Sequence, residues 1–172
     1  TNKSIAQIHT AHTLVAFAPK AIGATHIHSI IMAAQLQSVV MISSISTFWC
    51  RSGQGCYAAS NAFLDAIVAA WRSHGRVSSS LSLPGVAGSG MGAALRLIRV
   101  IEVSLADFDE AFGALLSLRS PIAPNILLPL ELPGYLLRTS GGQKPVFFEM
   151  VDPSKVQNCS IQGPFEKHWC RL

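Results

Sequence analysis

The chain has 172 residues, of which 49% are hydrophobic and only 13% are charged, and its net charge at pH 7 is +4. The length is sufficient for one domain with a buried core, and a charged fraction of about half the usual value indicates that part of the surface is covered by something else. The basic residues are scattered and not interleaved with aromatic residues, which argues against a nucleic-acid-binding protein.

The cysteines and histidines do not form a metal-binding or disulfide pattern. Because no CxxC pair occurs, we predict free thiols in an intracellular, most simply cytoplasmic, protein at Cys50, Cys56, Cys159 and Cys170. Two histidine pairs lack a third ligand cluster, so no metal site is predicted at His9 and His12 or at His26 and His28.

The sequence contains no obvious targeting or membrane segment. No uninterrupted apolar run reaches the roughly 18 residues that a membrane span requires, and no signal peptide is visible in the sequence. Because the chain begins with Thr1 and not methionine, we expect it to be a piece of a longer protein.

The first half of the chain predicts helices around one buried strand. Residues 10–18 and 20–36 have helical character, and Pro19 either starts the second helix or kinks one long helix. The β-branched run at 38–44 predicts a buried parallel strand. After a glycine-containing loop, apolar residues at helical spacing predict a helix over 57–74, which Gly75 ends.

The second half repeats this alternation with weaker patterns. Strands are predicted at 77–84 and 125–131, and a glycine-rich loop at 84–94. Helices are predicted at 94–101 and 106–118. The order of elements indicates an α/β fold with a doubly wound parallel sheet, of which about three strands with flanking helices form only one half. We predict a domain over residues 1–131 and a linker or tail over 132–172 toward a following domain.

Four polar residues are predicted to converge at one edge of this sheet. Ligands of open α/β sheets bind beyond the carboxyl ends of the strands, where Ser44 ends the first strand and Tyr57 opens a helix. Asn61 follows Tyr57 by one helical turn on the same face. Lys20, just after a proline in an apolar helix, could supply a cation that makes the tyrosine a better acid.

Three stretches carry a resemblance to one enzyme family: APKAIGATHIHSI at 18–30, VVMISSISTFWCRSGQGCYAASNAFLDA at 39–66, and PGVAGSGMG at 84–92. With thirteen residues from Ser44 to Tyr57 and YAASN in place of YxxxK, the chain resembles the ketoreductase domain of polyketide synthases and related fatty-acid-synthase-like megasynthases. These domains belong to the short-chain dehydrogenase/reductase superfamily, which has a Rossmann-like fold. In this family the lysine and the asparagine exchange sequence positions, in agreement with an asparagine four residues after the tyrosine.

The resemblance implies NADPH-dependent reduction of a β-ketoacyl thioester, carried by phosphopantetheine on an acyl carrier protein, to a β-hydroxyacyl thioester. Tyr57 would donate the proton to the ketone oxygen, and Ser44 would hydrogen-bond and orient that oxygen. Lys20 would bind the nicotinamide ribose and stabilise the phenolate of Tyr57. Asn61 would complete the proton and water network. Neighbouring synthase domains are the other implied partners.

Further contacts are implied by the same resemblance. In addition to Lys20 and Tyr57, the cofactor would contact Ser43, Pro84, Gly85 and Val86. The substrate would contact Trp49, Gln54 and Met91. A tryptophan at position 49 resembles the mark of ketoreductases that give the L-configured hydroxyl. The glycine-rich phosphate-binding loop of a βαβ unit is absent, so only the carboxy-terminal, catalytic half of the family's domain is expected, inactive by itself.

Two alternatives remain open from the sequence. One is a catalytically silent structural domain that kept the fold, although a degenerate domain would have lost one of the four site residues. The other is a free-standing short-chain reductase that acts on a small ketone.

Overall fold

The amino-terminal part of the chain is a long helical segment with one wide turn in its middle. The computed structural model describes residues 3–48, 50, 52–88, 102–117, 125–127 and 169–171. After a short 3₁₀ helix at Ile5–Gln7, helix α1 spans Thr10–Phe17, a π-helical turn spans Ala18–Ile22 and helix α2 spans Gly23–Ala33. Of the two alternatives predicted at Pro19, the structure therefore has the interrupted long helix.

The π-helical turn is explained by Pro19. Proline has no backbone N–H and cannot take part in a regular helical ladder, so the helix must adjust around it. The backbone N–H of Gly23 donates to the carbonyl of Ala18, five residues earlier, which is the spacing of a π-helix. The turn widens the helix at Lys20.

The whole segment Thr10–Ala33 is long and apolar enough to span a membrane by length and composition, with a mean hydropathy of 1.2. The sequence analysis kept one long helix kinked at Pro19 as an alternative, but it counted no uninterrupted apolar run of the length that a span requires. In the structure, however, Lys20 donates to the carbonyl of Ile42 in the sheet, and Ala21, Ala24 and Ile31 are buried. These contacts attach one side of the segment to the sheet, while only 17% of its apolar window is buried.

The main sheet has four strands. Strand β1 spans Val39–Ser44 and β2 spans Ser78–Leu83, and the short strands β5 and β6 span Asn125–Leu127 and Trp169–Arg171, in the spatial order β1-β2-β5-β6. Strands β1, β2 and β5 are parallel, which confirms the predicted α/β architecture, while β6 is antiparallel to β5. The three residues of β6 are too few to show a periodicity, so this strand was not predicted.

Strand β6 falls in the range predicted to be a linker, and the division into a domain over 1–131 and a tail over 132–172 stays a prediction.

A second, two-stranded sheet pairs β3, Gly85–Val86, with β4, Glu102–Val103, in parallel. The predicted helix at 94–101 lies outside the described residues.

Helices cover both faces of the sheet. Helix α3 spans Gly55–Ser73 and packs on one face, and helix α4 spans Leu105–Ser117 and packs on the other. Each side has a hydrophobic cluster. The cluster under α4 is formed by Leu81, Val103, Ala111 and Leu115. The cluster under α3 and α2 is formed by Ile31, Val68 and Trp71.

Strand β2 is unusually polar for a buried strand. Its four serines, Ser78, Ser79, Ser80 and Ser82, are at most 3% exposed. Leu81 packs under α4, so the alternating positions of the pleat place Ser78, Ser80 and Ser82 toward α3. The hydroxyl of Ser78 accordingly donates to the carbonyl of Val68 in α3. The layer between α3 and the sheet is therefore partly polar.

The helix ends are fixed by side-chain and backbone groups. Gly75, with a positive φ of 76°, follows α3, as predicted from the sequence. The guanidinium of Arg76 donates to the carbonyls of Met32 and Ala34 at the end of α2. At the start of α4, the hydroxyl of Ser104 accepts from the backbone N–H of Asp107, whose carboxylate accepts from the N–H of Ser104.

Candidate active site

The carboxyl ends of β1 and β2 lie side by side at one edge of the sheet. Ser44, the last residue of β1, is opposite Leu83, the last residue of β2, and Pro84 and β3 follow directly. Helix α3 begins at Gly55, and Tyr57 lies in its first turn. This edge is where parallel α/β sheets bind their ligands.

Lys20 and Tyr57 are adjacent at this edge. The Nζ atom of Lys20 lies 5.8 Å from the centroid of the Tyr57 ring, within the range of a cation–π contact. The same Nζ donates to the carbonyl oxygen of Ile42 in β1 over 3.4 Å. Lys20 belongs to the π-helical turn, and this turn therefore positions the ammonium group next to both the sheet and Tyr57.

Ser44 is held with its hydroxyl proton available. The residue is 8% exposed, and its Oγ accepts a hydrogen bond from the backbone N–H of Ser46 at 3.2 Å. Its carbonyl accepts from the hydroxyl of Thr47 at 3.0 Å. A serine hydroxyl that accepts a bond keeps its one O–H to donate. Ser44 can thus act as a hydrogen-bond donor toward an oxygen bound at the strand end.

Asn61 is completely buried behind the first turn of α3. It is 0% exposed, and its Nδ2 donates to the backbone carbonyl of Tyr57 over 2.8 Å. The hydroxyl of Ser43 donates to the backbone carbonyl of Asn61 at 3.4 Å, which ties α3 to β1. The Oδ1 of Asn61 has no hydrogen-bond partner among the described residues. The amide therefore fixes the turn that carries Tyr57 and presents one unused acceptor.

Asp65 is a site residue that the sequence reasoning missed. It follows Asn61 by one further helical turn and is the only acidic residue of α3. Burial raises the pKa of its carboxyl above the ordinary 3.8, while the Ser43 and Ser80 hydroxyls and the Lys20 ammonium oppose this rise. Neither hydroxyl donates to Oδ1, which is buried without a hydrogen-bond partner among the described residues.

The pKa of Lys20 is shifted in the opposite direction to that of Asp65. Burial lowers the pKa of its ammonium group from the ordinary 10.5, and the negative charge of Asp65 opposes this decrease.

The sequence feature that could have identified Asp65 is its spacing. Tyr57, Asn61 and Asp65 follow one another at intervals of four residues and share one helix face.

The raised pKa of Asp65 predicts a definite pH dependence of stability. Above about pH 3.8 the folded chain binds the Asp65 proton more tightly than the unfolded chain does, so the contribution of Asp65 to the free energy of unfolding decreases as pH rises through this window. Asp65→Asn removes this titration. We expect the variant to gain stability relative to wild type as pH is raised from 3.8 toward neutrality, measured by urea unfolding at a series of pH values. A stability difference that is constant with pH would contradict this expectation.

The other predicted contacts are only partly described. Gln54 precedes α3, and its carbonyl accepts from the N–H of Ala58 at 2.8 Å. Pro84 and Gly85 lie at the sheet edge beside Ser44, whereas the side chain of Val86 packs against the core cluster under α4. Trp49 and Met91 lie outside the described residues, so their substrate contacts stay predictions.

His9, which precedes α1, and His12, in its first turn, have a structural role. The rings of His9 and His12 stack at 5.5 Å, and Nδ1 of His12 accepts from the backbone N–H of His9 at 3.2 Å. This pairing caps the amino terminus of α1. Within the described residues, no group of three or more potential metal ligands comes together.

The sequence of this chain is similar to a known protein family and to known polyketide synthases. A family model described as the KR domain matches residues 1–88, slightly more than half of the chain. The chain is 36% identical over 132 residues to the spectinabilin polyketide synthase system protein NorB of Streptomyces orinoci, covering 74% of this chain and 6% of that protein. It is 46% identical over 65 residues to the polyketide synthase GfsA of Streptomyces halstedii, covering 38% of this chain and 1% of that protein.

Solved structures show the same fold. PlmKR1, the ketoreductase from the first module of phoslactomycin biosynthesis in Streptomyces sp. HK803, superimposes with a TM-score of 0.70 at 21% identity, covering 88% of this chain and 36% of that one. An A-type ketoreductase from a modular polyketide synthase gives a TM-score of 0.62 at 26% identity, covering 67% of this chain and 26% of that one. The chain thus corresponds to about a third of a solved ketoreductase chain and to a small part of its synthase relatives.

Proposed function

We propose, because this chain belongs to the KR domain family of polyketide synthases, that it contributes the catalytic half of a reductase of β-ketoacyl thioesters. The product is the β-hydroxyacyl thioester, and the reductant is NADPH. The observation that carries the proposal is the position of the Lys20 ammonium 5.8 Å from the ring of Tyr57, at the strand edge where Ser44 can donate a hydrogen bond.

The residues present fit the nicotinamide-ribose part of such a cofactor. A cation beside a phenol at the ends of two parallel strands suits a ribose hydroxyl pair, and the buried Oδ1 of Asn61 offers an unused acceptor nearby. Lys20 and Tyr57 would hold the ribose, with Ser43 behind them, and Pro84, Gly85 and the backbone of Val86 would line the nicotinamide. When bound, NADPH supplies the hydride that reduces the carbonyl carbon.

The residues of this chain perform the proton chemistry. The hydroxyl of Ser44 donates to the ketone oxygen and fixes the direction from which Tyr57 reaches it. The Tyr57 hydroxyl transfers its proton to that oxygen as negative charge develops there, and the ammonium group of Lys20 stabilises the resulting phenolate. Asn61 holds the first turn of α3 through the carbonyl of Tyr57 and so keeps the phenol in place.

The substrate and the partners follow from the same proposal. The thioester is carried by phosphopantetheine on an acyl carrier protein, and neighbouring domains of a cytoplasmic synthase supply and remove it. Trp49, Gln54 and Met91 are the proposed substrate contacts, and Trp49 is the proposed determinant of an L-configured product. We propose that the tail at 132–172 leads toward a following domain.

The proposal is tested by following NADPH consumption with a synthetic β-ketoacyl thioester, using the full-length protein that contains this chain. We expect the wild type to oxidise NADPH and Lys20→Met to lose about 10-fold or more in rate, because the phenolate loses its neighbouring cation. Lys3→Met, at an exposed lysine, is the matched control and is expected to keep the wild-type rate.

Each alternative has its own outcome in this assay. A folded wild-type protein that leaves NADPH unconsumed overturns the proposal in favour of a catalytically silent structural domain. Reduction of a small free ketone without any use of the thioester instead favours a free-standing short-chain reductase.

A further inference from the structure

Helix α3 begins without the side-chain cap that usually fixes the first turn of a helix. Its N-cap residue is Gln54, whose side chain makes no capping hydrogen bond to the described residues, and Gly55 follows as the first helical residue. Glycine is a weak helix former, and an uncapped first turn leaves backbone N–H groups without partners. This turn nevertheless carries Tyr57, the proposed acid, and must hold it in place.

Two buried side chains fix this turn from its carboxyl-terminal side. The hydroxyl of Ser60 donates to the backbone carbonyl of Tyr57 over 2.9 Å, and Nδ2 of Asn61 donates to the same oxygen over 2.8 Å. Both donor residues are 0% exposed, and a hydrogen bond is stronger in the protein interior than in water. Because the carbonyl belongs to the residue that carries the phenol, both bonds restrict the orientation of Tyr57 itself.

The stability of α3 does not explain a serine at position 60. Three further residues of the same buried helix face are apolar, Leu64, Val68 and Trp71. Alanine has a higher helix propensity than serine and would bury no hydroxyl at this position. A serine that bonds to the preceding turn also tends to bend a helix and to destabilise it slightly. The bond to Tyr57 therefore accounts for the Ser60 hydroxyl better than helix stability does.

We propose that Ser60 is a positioning residue, whose hydroxyl holds the first turn of α3 so that the Tyr57 phenol stays beside Lys20. The inference rests on the proposed function, in which Tyr57 is the acid. Ser60 does not touch the reacting atoms, and it acts through the backbone of Tyr57. A displacement of about 1 Å can lower the rate of a positioned reaction by about 10²-fold, so loss of this bond should be measurable in kcat.

The direct test measures the first turn of α3 independently of turnover. In the full-length protein, hydrogen–deuterium exchange with mass spectrometry gives the exchange rates of the backbone amides of residues 55–61. We expect Ser60→Ala to accelerate this exchange by about 5-fold, the usual effect of one lost hydrogen bond. Ser73→Ala is the matched control, because the exposed Ser73 donates to the carbonyl of Ala70, also three residues earlier, at the other end of α3. It should leave the exchange of residues 55–61 unchanged.

A second measurement connects this turn to catalysis. Ser60→Ala should lower kcat for thioester reduction by about 10-fold with little change in KM, because the ground-state contacts of the substrate remain. In a Tyr57→Phe background the same change should alter the rate by less than about twofold, because no phenol proton is left to position. A merely structural role of Ser60 would lower the rate equally in both backgrounds, and circular dichroism checks that each variant is folded.

The outcomes separate the two proposals. Wild-type exchange in Ser60→Ala, or equal losses of rate in both backgrounds, overturns the role of Ser60 and leaves the reductase proposal standing. Absence of NADPH consumption by the folded wild type overturns the reductase proposal, while the exchange still decides whether Ser60 holds the turn. If Ser60→Ala does not fold, Ser60→Cys replaces it, because a thiol is a weak donor, and wild-type exchange in that variant overturns the inference.

Discussion

Replacing Tyr57 with phenylalanine is expected to lower kcat for thioester reduction by at least about 10²-fold, the usual contribution of a general acid. Phenylalanine fills the same space in the first turn of α3 and keeps the ring next to the Lys20 ammonium, but it has no proton to give. The loss should therefore appear in kcat, whereas KM for the thioester should change little, because the ground-state contacts remain.

The control for this variant is the same change at the chain's other tyrosine, Tyr135→Phe, which we expect to keep the wild-type rate. NADPH binding, followed by the fluorescence of the nicotinamide, should be unchanged in Tyr135→Phe and weakened only slightly in Tyr57→Phe, in which Lys20 still holds the ribose. A Tyr57→Phe protein that reduces the thioester within about threefold of the wild-type rate would show that another group supplies the proton.

Replacing Trp71 with alanine is expected to lower the free energy of unfolding by about 3 to 5 kcal/mol. The side chain is 0% exposed and lies with Ile31 and Val68 in the cluster under α2 and α3. Its Nε1 also donates to Nδ1 of His28 over 2.7 Å, which joins α3 to α2. Truncation removes both the packing and this link, and urea unfolding followed by far-ultraviolet circular dichroism measures the loss.

Two further variants separate packing from hydrogen bonding. Trp71→Phe keeps most of the apolar contacts but lacks the donor, so we expect a smaller loss of about 1 to 2 kcal/mol. Ile30→Ala, at a side chain that is 64% exposed, should change stability by no more than about 0.5 kcal/mol. A Trp71→Ala loss as small as that of Ile30→Ala would mean that the cluster is not part of the folding core.

The elements that the sequence predicted well are those in which local pattern and tertiary environment agree. The run VVMISS predicts a strand because its β-branched residues suit both faces of a parallel sheet, and β1 spans Val39–Ser44, although its four apolar residues are only partly buried. The helix predicted over 57–74 is α3 at Gly55–Ser73, since its apolar residues recur at helical spacing. Lys20 was singled out by a local feature, its position just after Pro19.

The features that the sequence did not predict depend on residues far apart in the chain. A single aspartate on a helix is usually solvated, and Asp65 is drawn into the interior because serines from β1 and β2 meet α3 at that position. The burial of the whole of β2 is equally non-local, because SSSLSL resembles a half-exposed strand until helices cover both faces of the sheet. Pro19 signalled an interruption, but only the backbone pairing of Ala18 with Gly23 shows that the helix continues.

The π-helical turn at Ala18–Ile22 has a consequence for how the length of this segment can vary. A π-helical turn accommodates one more residue than an α-helical turn and is thus equivalent to an insertion into a regular helix. Removing one residue from it would restore regular pairing but rotate α1 by about 100° relative to α2. The contact of Thr13 in α1 with Cys56 in α3 and the reach of Lys20 to Ile42 could then not both persist. Substitutions that preserve the backbone leave the relative orientation of α1 and α2 unchanged, whereas a deletion changes it. The number of residues between α1 and α2 is therefore more tightly constrained than their identity.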